Sequence, residues 1–132
     1  MSYDLTIKSD DRYSRTATRA GLDSLLLQLP GVRRNGKGFA LDEPQKRRME
    51  IDLEVVNAEG DNIEETGKTY DNINCIRLHI SSAFAGDSIE HDYFPTAFAI
   101  AQHVGWPLYD DQTGKRISPG SESLKKPRWR FW

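Results

Sequence analysis

Tyr93-Phe94-Pro95-Thr96-Ala97-Phe98-Ala99-Ile100-Ala101-Gln102-His103-Val104-Gly105-Trp106-Pro107-Leu108-Tyr109-Asp110-Asp111-Gln112-Thr113-Gly114-Lys115-Arg116-Ile117 is the stretch on which the fold turns. Phe94, Ala97, Phe98, Ala101 and Val104 recur at helical spacing and share one face. Asp92 is placed to cap the helix, and Pro95 fits its first turn, where a missing N–H costs nothing. Gly105 suits a left-handed C-cap, and Pro107 forbids continuation. Trp106, Leu108 and Tyr109 then read as a short strand, and Asp110 to Gly114 as a turn. One amphipathic helix feeding one strand needs a sheet to cover.

The preceding chain supplies that sheet. Tyr3, Leu5 and Ile7 alternate with polar residues, as in a strand. Leu22, Leu25, Leu26 and Leu29 predict a helix over 16–29, capped by Ser14, Thr16 or Thr18 and stopped by Pro30-Gly31. Gly36-Lys37-Gly38 reads as a turn, Phe39-Ala40-Leu41 as a short strand, and Asp42-Glu43-Pro44-Gln45 as another turn. In 48–56, Met49, Ile51, Leu53 and Val55 alternate with Glu50, Asp52 and Glu54. One side of that strand is apolar and the other acidic, as in an antiparallel sheet with one wet face. Residues 57–70 read as an acidic loop, Cys75 to Ile80 as a strand, and 83–91 as a link. The expected architecture is α+β: an antiparallel sheet with two helices on one face, a ferredoxin-like variant. Residues 1–117 form the domain, and 118–132 a linker followed by a basic-aromatic tail.

The totals fit a single domain of 132 residues with net charge −2 and one cysteine. A lone Cys75 forms no internal bridge, which favours a reducing compartment. No apolar run is long enough to span a membrane. Met1-Ser2-Tyr3-Asp4 enters a strand without a signal-like region, so a cytoplasmic protein is expected. Charge is unevenly spread: net +4 over 1–48, −11 over 49–111 and +5 over 112–132. An acidic middle points to a basic protein partner or a docked basic tail, and away from nucleic acid.

Candidate chemistry is sparse. Glu50, Asp52 and Glu54 lie about 6.5–7 Å apart along one strand face. They read as a solvated surface paired across to Arg77 and His79, or as a partner-binding face. A catalytic pair would need one member in an apolar pocket to raise its pKa. Cys75 and His79 are about 13 Å apart, too far for a nucleophile and base. Asp87, Glu90, His91 and Asp92 lack metal-ligand spacing and read as a capped helix start. Arg12, Arg15 and Arg19 could hold an anion near a helix start, against a default of surface arginines. No cofactor is expected. In the tail, Trp129 and Phe131 alternate with Arg128 and Arg130. That suits an added edge strand or contact with the acidic middle, with single-stranded nucleic acid or a membrane surface as other readings.

The opening Met1-Ser2-Tyr3-Asp4-Leu5, the helix exit Leu25-Leu26-Leu27-Gln28-Leu29-Pro30-Gly31-Val32 and the exit Val104 to Gly114 occur in one order. In this the chain resembles small bacterial immunity proteins of polymorphic and contact-delivered toxin systems, over about residues 1–117. The resemblance implies a cytoplasmic, non-enzymatic inhibitor that occludes the active site of a cognate toxin domain. It transfers no site residues, because each such protein matches its own toxin. From the residues themselves, the expected contact surface is Glu50, Asp52, Glu54, Glu59, Asp61, Glu64 and Glu65, with Trp129, Arg130 and Trp132 as anchors. The alternatives are an RNA-binding module on a ferredoxin-like sheet and a small acylphosphatase-like hydrolase.

Overall fold

The computed structural model describes residues 2–43, 47–64, 68, 70–85 and 89–118. Its elements in chain order are β1 (Tyr3–Ile7), β2 (Ala17–Thr18), α1 (Arg19–Gln28), β3 (Val32–Asn35), β4 (Gly38–Glu43), β5 (Arg47–Glu54), β6 (Asn72–Ile73), β7 (Cys75–Ile80), α2 (Ser82–Ala85), α3 (Ile89–Asp92), α4 (Phe94–Val104), β8 (Leu108–Asp110) and β9 (Lys115–Ile117). Seven strands form one sheet in the order β3-β4-β5-β7-β1-β8-β9, and every pairing is antiparallel. The inner four, β8-β1-β7-β5, with α1 leaving β1 and α4 leading into β8, carry the ferredoxin-like order. The hairpin β3–β4 widens one edge and β9 the other. A small second sheet, β2 with β6, ties the start of α1 to the approach of β7.

Alternation decides what the sheet buries. Leu5 and Ile7, Phe39 and Leu41, Met49, Ile51 and Leu53, and Ile76, Leu78 and Ile80 face the helices, and all belong to one core cluster with Leu22 and Leu26 of α1 and Phe94, Ala97, Ile100 and Ala101 of α4. Tyr93 is fully buried. Its hydroxyl donates to the Phe84 carbonyl at 2.6 Å and accepts from the Arg48 N–H at 3.2 Å, so its polar tip is satisfied inside the core.

Several local expectations are corrected. Helix α1 starts at Arg19 and not near residue 16, while Thr18, one of the three expected caps, is the N-cap and accepts from the Gly21 N–H. The position before α4 is held by Tyr93, not Asp92, and has no side-chain cap. The Tyr93 N–H already bonds the Ile89 carbonyl at 2.9 Å, because α3 runs into α4. The expected 83–91 link is thus largely taken up by the short helical turns α2 and α3, which begin at Ser82 and end at Asp92. Asp42 and Glu43 continue β4 instead of turning, and Arg33 and Arg34 lie in a strand that polar side chains conceal. Trp106 precedes β8, and Gly105 closes α4 at φ +74° as expected.

Candidate protein-binding face

The face of the sheet away from the helices carries the charges. Glu50 lies opposite His79, Asp52 opposite Arg77, and Glu54 opposite Cys75. On the other side, Asp52 approaches Gly38, just past the Phe39–Ile51 pair that ends the β4–β5 register. A Cβ at Gly38 would sit 2.6 Å from Asp52 Oδ1 and 2.6 Å from the Ile51 carbonyl oxygen. Glycine is required there because the Asp52 side chain and the β5 backbone occupy that space.

Most charges on this face are paired. Asp42 takes both Arg33 and Arg48, the latter at 2.9 Å. Glu54 accepts from Arg77 Nε at 2.8 Å, and Asp4 meets His79 Nδ1 at 2.6 Å. Among the described residues Glu50 has only a long contact of 3.9 Å to Arg48. Asp52 has no ion pair among the described residues. Although the residue is exposed, local desolvation raises its carboxyl above the usual range; Glu54 and Glu50 add to the rise, and His79 opposes it.

A second acidic element stands beside this strand. The loop after β5 folds back on itself: the Asn57 side chain accepts from the N–H groups of Glu59 and Asp61, the Ile63 N–H bonds the Val55 carbonyl, and Val56 bridges Asn62. Arg77 fastens the loop to the sheet, since its Nη2 donates to the Gly60 carbonyl at 2.9 Å while Nε holds Glu54. Asn74 adds bonds to the N–H and carbonyl of Val56 and to the Tyr13 carbonyl. Glu59 and Asp61 are left exposed, without ion pairs among the described residues.

Glu64 turns away from this pair. It meets Arg19 at 3.3 Å and accepts from the Val55 N–H. It lines a cavity of about 480 Å³ together with Arg19, Lys37, Asp52, Glu54 and Asn62, so both signs of charge border that space. The sequence-derived acidic set therefore divides. Among the described residues Glu50, Asp52, Glu59 and Asp61 have no cation closer than the 3.9 Å Arg48–Glu50 contact, Glu54 and Glu64 are paired with arginine, and Glu65 lies outside the described residues, as do Trp129, Arg130 and Trp132.

Other candidate chemistry resolves differently. Cys75 is completely buried on this side of the sheet, and burial pushes its thiol up to about 11. It is therefore a protonated, unreactive thiol at neutral pH. Arg19, one of the three arginines after β1, is committed to the Tyr70 carbonyl and to Glu64. Lys8 was not singled out by the sequence reading. Its ammonium lies 5.1 Å from the Tyr13 ring centroid and 4.9 Å from that of Tyr109, closing the rim of the face. The signal for it was the lysine ending an alternating strand, which carries little weight without knowledge of which rings face it. Among the described residues no three His, Cys, Asp or Glu side chains form a metal-binding group, and no helix is long and apolar enough to cross a membrane. Compared with known proteins, the chain matches no family model and no curated protein.

Proposed function

We propose that the chain is a binding protein of the immunity type, which docks a basic protein domain on its open sheet face and thereby inhibits it. The observation that carries this reading is the residue of charge left after pairing. Among the described residues, Asp52 on β5 and Glu59 and Asp61 on the adjoining loop have no ion pair and Glu50 has only the 3.9 Å contact to Arg48, while Asp42, Glu54 and Asp4 beside them are closely paired. Keeping Asp52 between two carboxylates works against folding, and a lysine or arginine from a partner relieves it. Such complementarity speeds encounter and selects partners. The Arg77 bridge holds the loop in place before docking, which reduces the ordering cost of association.

RNA is a less fitting occupant. The central strands β1 and β7 present Asp4, Thr6, Cys75, Arg77 and His79 on this face, with no Phe, Tyr or Trp ring among them and the His79 imidazole held by Asp4, and the unpaired carboxylates repel phosphate. The test is co-expression with the protein encoded by the adjacent upstream reading frame, followed by co-purification. Rescue of growth with a stable complex is the expected result. A neighbour that is neither toxic nor retained would count against the proposal.

A further inference from the structure

The apolar stripe of α4 is wider than the sheet beneath it. Phe94, Ala97, Ile100 and Ala101 are buried, whereas Phe98 and Val104 are only partly covered. Phe98 stands edge-on to Phe94, with ring centroids 5.8 Å apart. Beside it a groove of about 470 Å³ opens between α4 and β9, lined by Phe98, Trp106, Leu108 and Ile117 and also by the polar Gln102 and Arg116. Among the described residues β9 is the last strand of the sheet and pairs only with β8. A strand edge beside a groove with an aromatic and aliphatic wall offers main-chain hydrogen bonds and side-chain pockets together, the two components of strand addition.

We propose that residues 128–132 of this same chain add to β9 as an antiparallel strand and seat Trp129 and Phe131 in the groove. Three observations select this occupant over a foreign segment. The chain passes directly from the groove wall at Ser118 into the segment concerned. Nine residues, 119–127, separate Ser118 from Arg128; at about 3.3 Å per residue they reach roughly 30 Å, ample for a return along a three-residue strand. Trp129 and Phe131 then fall on one face and Arg128, Arg130 and Trp132 on the other, as a half-buried edge strand requires. Ile117 points to the helix side, next to Leu108, so the aromatic pair shares the face that Phe98 leaves uncovered. On the opposite face Arg128 and Arg130 join Arg116, which is exposed. The docking is therefore driven by aromatic burial and not by charge. On this proposal Trp129 serves the fold's edge, and Arg130 faces the charged side of the sheet.

Amide hydrogen exchange on the full chain tests this, read at residues 115–117 with the amides of Leu5, Ile7 and Leu78 as internal reference. The double variant Trp129→Ser/Phe131→Ser should exchange at least about tenfold faster at 115–117 with the reference amides unchanged, a difference that persists in high salt, because screening acts on charge and not on apolar burial. Equal rates at 115–117 in the two proteins overturn the proposal. Protection that vanishes at high salt would place the tail on the acidic face instead. Protection that vanishes on dilution would mean that the edge is filled by a second copy. Either result also overturns it. If the variant's reference amides speed up as well, salt and dilution series on the unmodified chain decide by the same criteria.

Discussion

On the helix side of the sheet, Met49, Ile51 and Leu53 of β5 meet Leu41, Phe39, Leu78 and Ile76 in one continuous core. On the other side, Glu50, Asp52 and Glu54 of the same strand meet Arg48, Arg77 and His79. Both faces arise from the same two-residue alternation, yet they obey different physics. Apolar burial is non-directional and grows with area, so each core residue is supported by many others. Ion pairs are local and can be matched one by one, so a group without a partner stands out. The comparison teaches that the core face accounts for the fold, and that the surplus on the charged face is where function is to be sought.

The sharpest way to break this contrast is to truncate neighbours on opposite faces. Ile51→Ala opens a cavity in the core, and a loss of about 2–5 kcal/mol is expected in chemical denaturation. Gly38→Ala tests the close approach behind Asp52. A methyl group there collides with the Ile51 carbonyl oxygen, a backbone atom that cannot swing aside, and about 1–3 kcal/mol should be lost. Arg77→Ala removes the partner of Glu54 and the tether of Gly60. Since the arginine is 36% exposed, solvent screening limits the global cost to about 1 kcal/mol. Its main effect should be faster proteolysis in the loop 57–64, whereas a large loss of stability with an intact loop would contradict the tether.

Cys75 sharpens the comparison along the pH axis. Its folded thiol titrates near 11, above the ordinary value of 9.0. Stability is therefore unaffected by this group below the ordinary thiol range and falls as pH rises from there through about 11. Cys75→Ala should remove that part of the alkaline loss. In the native protein the thiol should react with a disulfide reagent only as fast as the chain opens.

Much of the fold was legible in the sequence. Strict alternation in β1, β5 and β7, and the Gly105-Trp106-Pro107 exit from α4, report on local chemistry that the tertiary structure leaves intact. The strand β3 was hidden because Arg33 and Arg34 are not strand-like by composition. Arg34 nevertheless lies over the Phe39 ring and pairs with Asp23, so its place is fixed by contacts distant in the chain. The start of α4 was misread for a similar reason: Asp92 resembles a cap only if the chain before it is extended, and α3 makes it helical. The acidic face itself was readable from Glu50, Asp52 and Glu54. Which of these keeps a cation depended on Arg48, Arg77 and Arg19 arriving from other elements, and no periodicity carries that information.

The smallest expected effect on folding is also the most telling for function. The double variant Glu50→Gln/Asp52→Asn keeps the shape of the face and removes the two strand carboxylates that lack a close cation among the described residues. Because the Asp52 carboxyl is raised in the folded protein, its charge opposes folding at neutral pH, and that opposition fades as pH falls through its folded pKa. The variant should therefore melt at the same temperature as the parent or slightly higher at neutral pH, with the difference closing in acid. The decisive measurement is its affinity, by titration calorimetry, for the protein encoded by the adjacent upstream reading frame. Binding weakened at least about tenfold with stability undiminished is the predicted result; undiminished binding, or a loss explained by unfolding, would contradict the account.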